Sequence, residues 1–181
     1  MTKPNDVGAI APSSKALADA VTAAARVPEA EVIVEFGPGT GAITEAIMAR
    51  KKPDAQVLAI EKQKEFVDVL RLRFPNIHVV HDSATETKKH LEKLGFEHCD
   101  CIVSGLPWTI FPEELQDELL NAVVDALRPG GFFATYMYLL GAGLPGAKRF
   151  RKKLAERLCH TGVSSLVWLN IPPAYVFYGE K

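Results

Sequence analysis

The sequence predicts an α/β domain in which a mainly parallel sheet, covered by helices on both faces, is closed by an antiparallel C-terminal hairpin. Three observations carry that expectation. Apolar runs bounded by turn residues alternate with helical patterns along most of the chain, as crossover connections require. The first apolar run ends in a glycine-rich turn that leads straight into a helix. The last two apolar runs are joined by Ile171-Pro172-Pro173, too short a link for a crossover. A chain of 181 residues, 48% of them hydrophobic, fits one domain over residues 1–181 with one sizeable core.

Taken in order, a helix capped by Ser13 or Ser14 runs to about Arg26. A strand at EVIVEF from Glu31 precedes a helix from Ala42 to about Arg50. The strand QVLAI from Gln56 leads to a helix from Gln63 to about Arg73, and IHVV from Ile77 to a helix from about Thr85 to Leu94. CDCIVS from Cys99 is followed by a helix from about Glu113 to Leu127, stopped at Arg128-Pro129-Gly130-Gly131. A strand from Gly131 to Tyr138, a Gly-rich loop, a basic helix from about Ala147 to His160, and the strands SSLVWLN and AYVFYGE complete a seven-strand, Rossmann-like plan.

Composition narrows the function classes. A formal net charge of −1 gives no global field toward nucleic acid or an anionic membrane, so any such attraction is local. The first residues lack the basic start and apolar run of a secretory signal, which suggests a cytoplasmic protein. The uncharged stretch from Pro129 to Ala147 is broken by glycines and reads as a buried strand rather than a membrane span. Cys99, Cys101 and Cys159 form neither a disulfide framework nor a zinc pattern and read as buried apolar residues. No histidine has a metal-ligand spacing, and no metal is expected.

The chemistry begins at Glu35-Phe36-Gly37-Pro38-Gly39-Thr40-Gly41. Three glycines in five residues let the backbone turn tightly and approach a ligand at the carboxyl end of the sheet. Because Gly37, Gly39 and Ala42 also satisfy a dinucleotide pattern, the ligand is chosen by the acids around the loop. Glu35 beside it repels a pyrophosphate and tolerates a cationic sulfonium or ammonium. Glu61, ending the second strand, is placed to accept ribose hydroxyls, and Asp82, with Ser83 after it, to accept an adenine amino group. Taken singly, Asp82 reads better as a cap or solvated loop residue. Together the three acids fit adenosine plus a positive centre better than a dinucleotide.

The fourth strand ends in Ser104-Gly105-Leu106-Pro107-Trp108. With VEFGPGTGAIT and the opening VGAIAPSS, this segment resembles the bacterial phospholipid N-methyltransferases and, more distantly, the ribosomal RNA adenine dimethylases. The resemblance spans essentially the whole chain. It implies S-adenosyl-L-methionine as cofactor, held also by Ser104 and Gly105, and a lipid amine such as the phosphatidylethanolamine headgroup as acceptor. The RNA enzymes usually begin this tetrapeptide with Asn and follow its Pro with an aromatic; this chain has Ser104 at the Asn place and keeps Trp108. Against that resemblance, neither the separate helical RNA domain of the RNA enzymes nor the amphipathic N-terminal membrane helix of the lipid enzymes is expected here. The alternative acceptors are an rRNA adenine or a small molecule.

Repeated methylation of an amine ends in a fixed cation, which aromatic faces attract by about 0.5–2 kcal/mol per ring. Trp108, Tyr136 and Tyr138 lie near the carboxyl ends of strands four and five, and Tyr136 and Tyr138 share a strand face. With Ser104 they are the candidate catalytic residues; packing of a helix on the sheet is an even alternative for each tyrosine. From Lys148 to Leu158, six basic residues face one acid, with an apolar stripe at Ala147, Phe150, Leu154 and Leu158. That helix is either a solvated face over the core or a peripheral contact with the anionic inner face of the membrane. It could equally bind RNA phosphates, although no strong nucleic-acid signal appears elsewhere.

Overall fold

The computed structural model describes residues 14–181. The opening VGAIAPSS up to Ser13, including one of the two candidate caps, lies outside the described residues. Ser14 is the cap of the first helix: its side chain accepts the N–H of Leu17 and starts α1 (Lys15–Ala24).

The chain then builds β1 (Val32–Phe36), α2 (Ala42–Arg50), β2 (Gln56–Glu61), α3 (Lys64–Arg73), β3 (His78–His81) and α4 (Thr87–Lys93). It continues through β4 (Cys99–Ser104), α5 (Glu113–Ala126), β5 (Leu127–Tyr138), α6 (Pro145–Arg157), β6 (Cys159–Val163) and β7 (Ala174–Glu180). One seven-stranded sheet has the order β3-β2-β1-β4-β5-β7-β6. Strands β1 to β5 run parallel to one another, and β7 runs antiparallel to both β5 and β6. The strand order reverses between β1 and β4, so their two outgoing loops diverge and open a crevice at the carboxyl edge.

Strand alternation divides the core in two. Val34, Phe36, Leu58, Ile60, Ile102 and Phe133 face α4, α5 and α6. Ile33, Val57, Cys101, Val103 and Ala134 face the other way, against α1 and α2, while Val67 and Leu70 of α3 cover Ala59 and Val79. The Pro129–Ala147 stretch is most of β5, a loop and the first turn of α6, and no helix among the described residues is long and apolar enough to cross a membrane.

Two sequence expectations need correction at the C-terminus. The sixth strand is Cys159–Val163, not SSLVWLN, and the basic helix therefore stops at Arg157. Cys159–Val163 is an edge strand with mostly exposed side chains, so it carries no apolar alternation to read. Within SSLVWLN only Val167 forms a bridge, to Ala174, and the rest is the loop that joins β6 to β7. Cys99 and Cys101 are buried as expected, but Cys159 on the edge strand is exposed.

The basic helix is largely spoken for. Arg149 donates to the Gln116 side chain and the Phe111 carbonyl, Lys153 pairs with Asp117 and Glu113 of α5, and Arg157 pairs with Asp117. Lys148, Arg151 and Lys152 remain on the exposed side.

Candidate cofactor and acceptor site

The crevice at the switch point is built from backbone first. Gly37 N–H donates to the Ile60 carbonyl at 2.9 Å, and Gly105 N–H donates to the Phe36 carbonyl at 2.8 Å, tying the loops after β1, β2 and β4 together. A Cβ on Gly105 would stand 2.7 Å from the Gly37 carbonyl oxygen, so only glycine lets these two loops touch. Gly39 contrasts with it. Its φ is +56°, and a Cβ there would meet nothing within 4 Å, so the turn presents bare backbone to open space.

Glu61 closes the floor beside it. Its Oε2 accepts Gly39 N–H at 3.0 Å and its Oε1 accepts Gln63 N–H at 2.8 Å. Each carboxylate oxygen retains capacity for one more donor, such as a hydroxyl. Asp82 and Ser83 follow β3: Asp82 Oδ1 accepts Ser83 N–H and Oδ2 bonds His90 Nε2, both at 2.8 Å. The His90 hydrogen bond, with the Ser83 amide and Lys89, holds the Asp82 carboxyl down at about 2. Gly37, Glu61, Asp82, Ser83 and Ala84 share a cleft of about 140 Å³ whose apolar wall is Ile60, Leu106, Phe111, Leu115 and Leu119. A polar floor opposite an apolar wall suits a nucleoside, one edge hydrogen-bonded and one face packed.

Glu35 takes a different position from the one expected. It is buried under the loop, with Oε2 accepting the Thr44 hydroxyl at 2.7 Å and Oε1 buried without a partner. Burial raises its carboxyl to about 8, against the Thr44 hydrogen bond and with a contribution from the Glu61 charge. Glu35 is thus no open repulsive charge. An orphaned buried acceptor beneath a glycine turn instead fits a ligand that brings a donor, such as an ammonium.

Ser104 and Trp108 are likewise corrected. Ser104 is fully buried; its Oγ accepts from Trp108 Nε1 at 3.0 Å and from Leu106 N–H at 3.3 Å. It shapes the turn after β4 and presents no group to the cleft. Trp108 is buried against Phe111, Phe133 and Phe150, with ring centroids 6.2, 5.9 and 4.6 Å away. It anchors the loop to α6 and is not an open cage wall. Counted back from Trp108, the tetrapeptide begins at Gly105, so Gly105 is the position to compare with the Asn of the RNA enzymes.

Tyr136 and Tyr138 do share a face, with ring centroids 5.7 Å apart, but it is the face of α1, opposite Trp108. Burial and the neighbouring Tyr136 push the Tyr138 hydroxyl well above the ordinary tyrosine range, so it stays neutral. The three aromatics are therefore not one cage. Two contributors escaped the sequence reading: Thr44, whose position on the first turn of α2 was a usable signal, and His90, which reaches Asp82 from another element and left none.

With the geometry in view, the likenesses to known proteins can be placed. Residues 33–131 match the protein family described as a methyltransferase domain. The ornithine lipid N-methyltransferase of Singulisphaera acidiphila is 38% identical over 130 residues, covering 70% of this chain and 68% of that protein. The ribosomal RNA small subunit methyltransferase A of Dehalococcoides mccartyi is 31% identical over 100 residues, 54% of this chain and only 33% of its own length. Among solved structures, the Bacillus cereus O-methyltransferase in complex with SAH superposes with a TM-score of 0.74 at 14% identity, over 93% of this chain and 82% of that one, which shows the shared fold.

Proposed function

The chain belongs to the methyltransferase domain family and is an S-adenosylmethionine-dependent enzyme, and on that premise we propose that its acceptor is the amine headgroup of a membrane lipid. The observation that carries the reading is the 38% identity to an ornithine lipid N-methyltransferase across about two thirds of both chains. Phosphatidylethanolamine and amino-acid lipids offer the same primary amine and fall within the class.

The residues divide the work. Glu35 Oε1 would hold the ammonium end of the cofactor, Glu61 the ribose hydroxyls, and Asp82 with Ser83 the adenine edge. When bound, that cofactor would supply a methyl group on a sulfonium; the acceptor attacks as the neutral amine, the S–C bond breaks as the N–C bond forms, and the amine's proton is lost to water. The chain supplies position: Gly39 admits the ligand, the Gly37–Gly105 contact fixes the two loops, and Leu106, Phe111 and Leu115 keep water from the apolar wall. Tyr136 and Tyr138, partly exposed at the end of β5, offer ring faces to the cationic product.

Product analysis tests this directly. The protein is incubated with deuteromethyl-labelled cofactor and either total lipid extract or ribosomal RNA, and products are read by mass spectrometry. Label in an amine-bearing lipid is the expected result. Label confined to RNA overturns the lipid reading.

A further inference from the structure

Three segments meet at the carboxyl edge of the sheet: 105–111 after β4, 139–147 after β5, and 164–173 between β6 and β7. We propose that this edge is a docking surface that inserts its apolar side chains into a lipid bilayer, with the site mouth facing the headgroups. The proposal rests on the lipid-amine reading above and adds the surface through which the enzyme reaches its acceptor.

The segments form one continuous edge. Leu139 N–H donates to the Pro173 carbonyl at 2.8 Å, and Gly146 packs so closely on the Thr109 backbone that a Cβ would clash with it. None of the three contains a charged residue. They nevertheless expose Ile110 (72%), Leu140 (85%), Trp168 (71%), Leu169 (82%) and Ile171 (86%). Single exposed apolar residues are ordinary; a contiguous uncharged edge that exposes five large ones marks a contact surface.

The projection of the β6–β7 loop is built in. Between Leu169 and Ile171, the side chain of Asn170 is buried, its Oδ1 accepting Ser14 N–H at 2.8 Å and its Nδ2 donating to the Pro172 carbonyl at 2.7 Å. A buried polar anchor thus fixes the loop while both neighbours point outward. A bilayer fits this surface better than a protein partner on two grounds. A tryptophan beside exposed aliphatics suits the headgroup boundary, where its ring is half apolar and its N–H remains wet. Charge then borders the apolar edge instead of lying within it: α6 starts in the same edge, and its exposed Lys148, Arg151 and Lys152 complement anionic headgroups. The dual pattern of a shallow apolar insertion and a flanking basic helix is that of peripheral membrane binding.

The two tryptophans make the test specific. Trp108 is buried and Trp168 exposed, so a change in emission on adding vesicles reports Trp168. The protein is titrated with vesicles of phosphatidylcholine containing one part in three of phosphatidylglycerol, with and without brominated acyl chains. The expected result is a blue shift quenched by the bromolipid and absent in Trp168→Phe. Leu169→Asp with Ile171→Asp should weaken vesicle binding at least about tenfold, leaving cofactor affinity and activity on a dispersed short-chain lipid amine unchanged. Lys148→Glu should weaken binding to the anionic vesicles and not to pure phosphatidylcholine. Emission that ignores vesicles, or a double variant that binds them equally, overturns the proposal. So does a dimer by sedimentation that the double variant splits in protein that ignores vesicles, since the partner is then a second copy. Insertion without lipid methylation would overturn the acceptor reading alone; lipid methylation without insertion would overturn the docking surface alone.

Discussion

Glu61, the last residue of β2, accepts the N–H of Gly39 at 3.0 Å and so pins the glycine turn of β1 to the neighbouring strand. One carboxylate both positions the turn and remains able to accept ligand hydroxyls. Glu61→Ala should lower affinity for S-adenosylhomocysteine by tenfold or more, since each lost hydrogen bond to a charged group costs about 1.5–3 kcal/mol. Titration calorimetry on the folded variant checks it, and unchanged affinity would remove Glu61 from the site.

Gly39 and Gly105 should fail in different ways. Gly105→Ala drives a Cβ into the Gly37 carbonyl and should cost about 1–3 kcal/mol of stability. Gly39→Ala meets no atom and costs only the left-handed backbone, about 1–2 kcal/mol. Gly39→Arg fills the open space and should abolish cofactor binding. Denaturation midpoints set against binding constants separate the two positions.

The buried Glu35 sets a pH dependence. Its carboxyl stands at about 8 in the folded chain and near 4.5 when free, so folding favours the protonated form. Its contribution is fully present below about 4.5 and is lost as pH rises through about 8. Urea midpoints of the ligand-free protein should therefore fall between pH 6 and 8.5, and Glu35→Gln should flatten that fall. Ligand that brings an ammonium to Oε1 favours the charged form and should restore wild-type stability at the upper end.

The five parallel strands and the glycine loop were legible because each leaves a local mark: a buried strand needs an apolar run, and a tight turn needs Gly37, Gly39 and Gly41. The C-terminal hairpin was read one segment too late. Val163 is half exposed and His160 has a left-handed backbone, so the true β6 lacks a strand signature, while SSLVWLN carries the apolar run Leu166-Val167-Trp168-Leu169 that reads as a strand. Glu61 and Asp82, with Ser83 beside it, were singled out because acids at strand ends are informative, and the structure brings the three to one cleft. Trp108 was misplaced because the residue type gives no hint of which side of the sheet its ring takes.

The basic helix makes two kinds of cation distinguishable. Lys153 is mostly buried between α6 and α5, bonded to Asp117 and Glu113, whereas Lys152 is exposed and only loosely paired with Glu156 at 3.8 Å. Asp117 is held below the usual carboxylate range first by Lys153. Lys153→Ala should lower Tm, and Lys152→Ala should leave it unchanged. Equal Tm values would show that the α5–α6 contact does not depend on the pair.

Trp108 and Tyr138 stand on opposite faces of the sheet, so they offer opposite tests of where the acceptor amine sits. Trp108→Phe keeps most of the aromatic packing and removes the N–H that Ser104 accepts, a loss of about 0.5–1.5 kcal/mol in stability. Because that ring is buried, KM for the acceptor should not change. Tyr138→Phe preserves a ring face and should be tolerated, whereas Tyr138→Ala removes the face that attracts the methylated cation. The expected signature is a KM that rises for the singly and doubly methylated acceptor more than for the primary amine, since cation–π attraction grows as the ammonium loses its hydration. Steady-state kinetics on the three acceptors read it. A raised KM in Trp108→Phe with Tyr138→Ala unchanged would move the acceptor to the α5–α6 face.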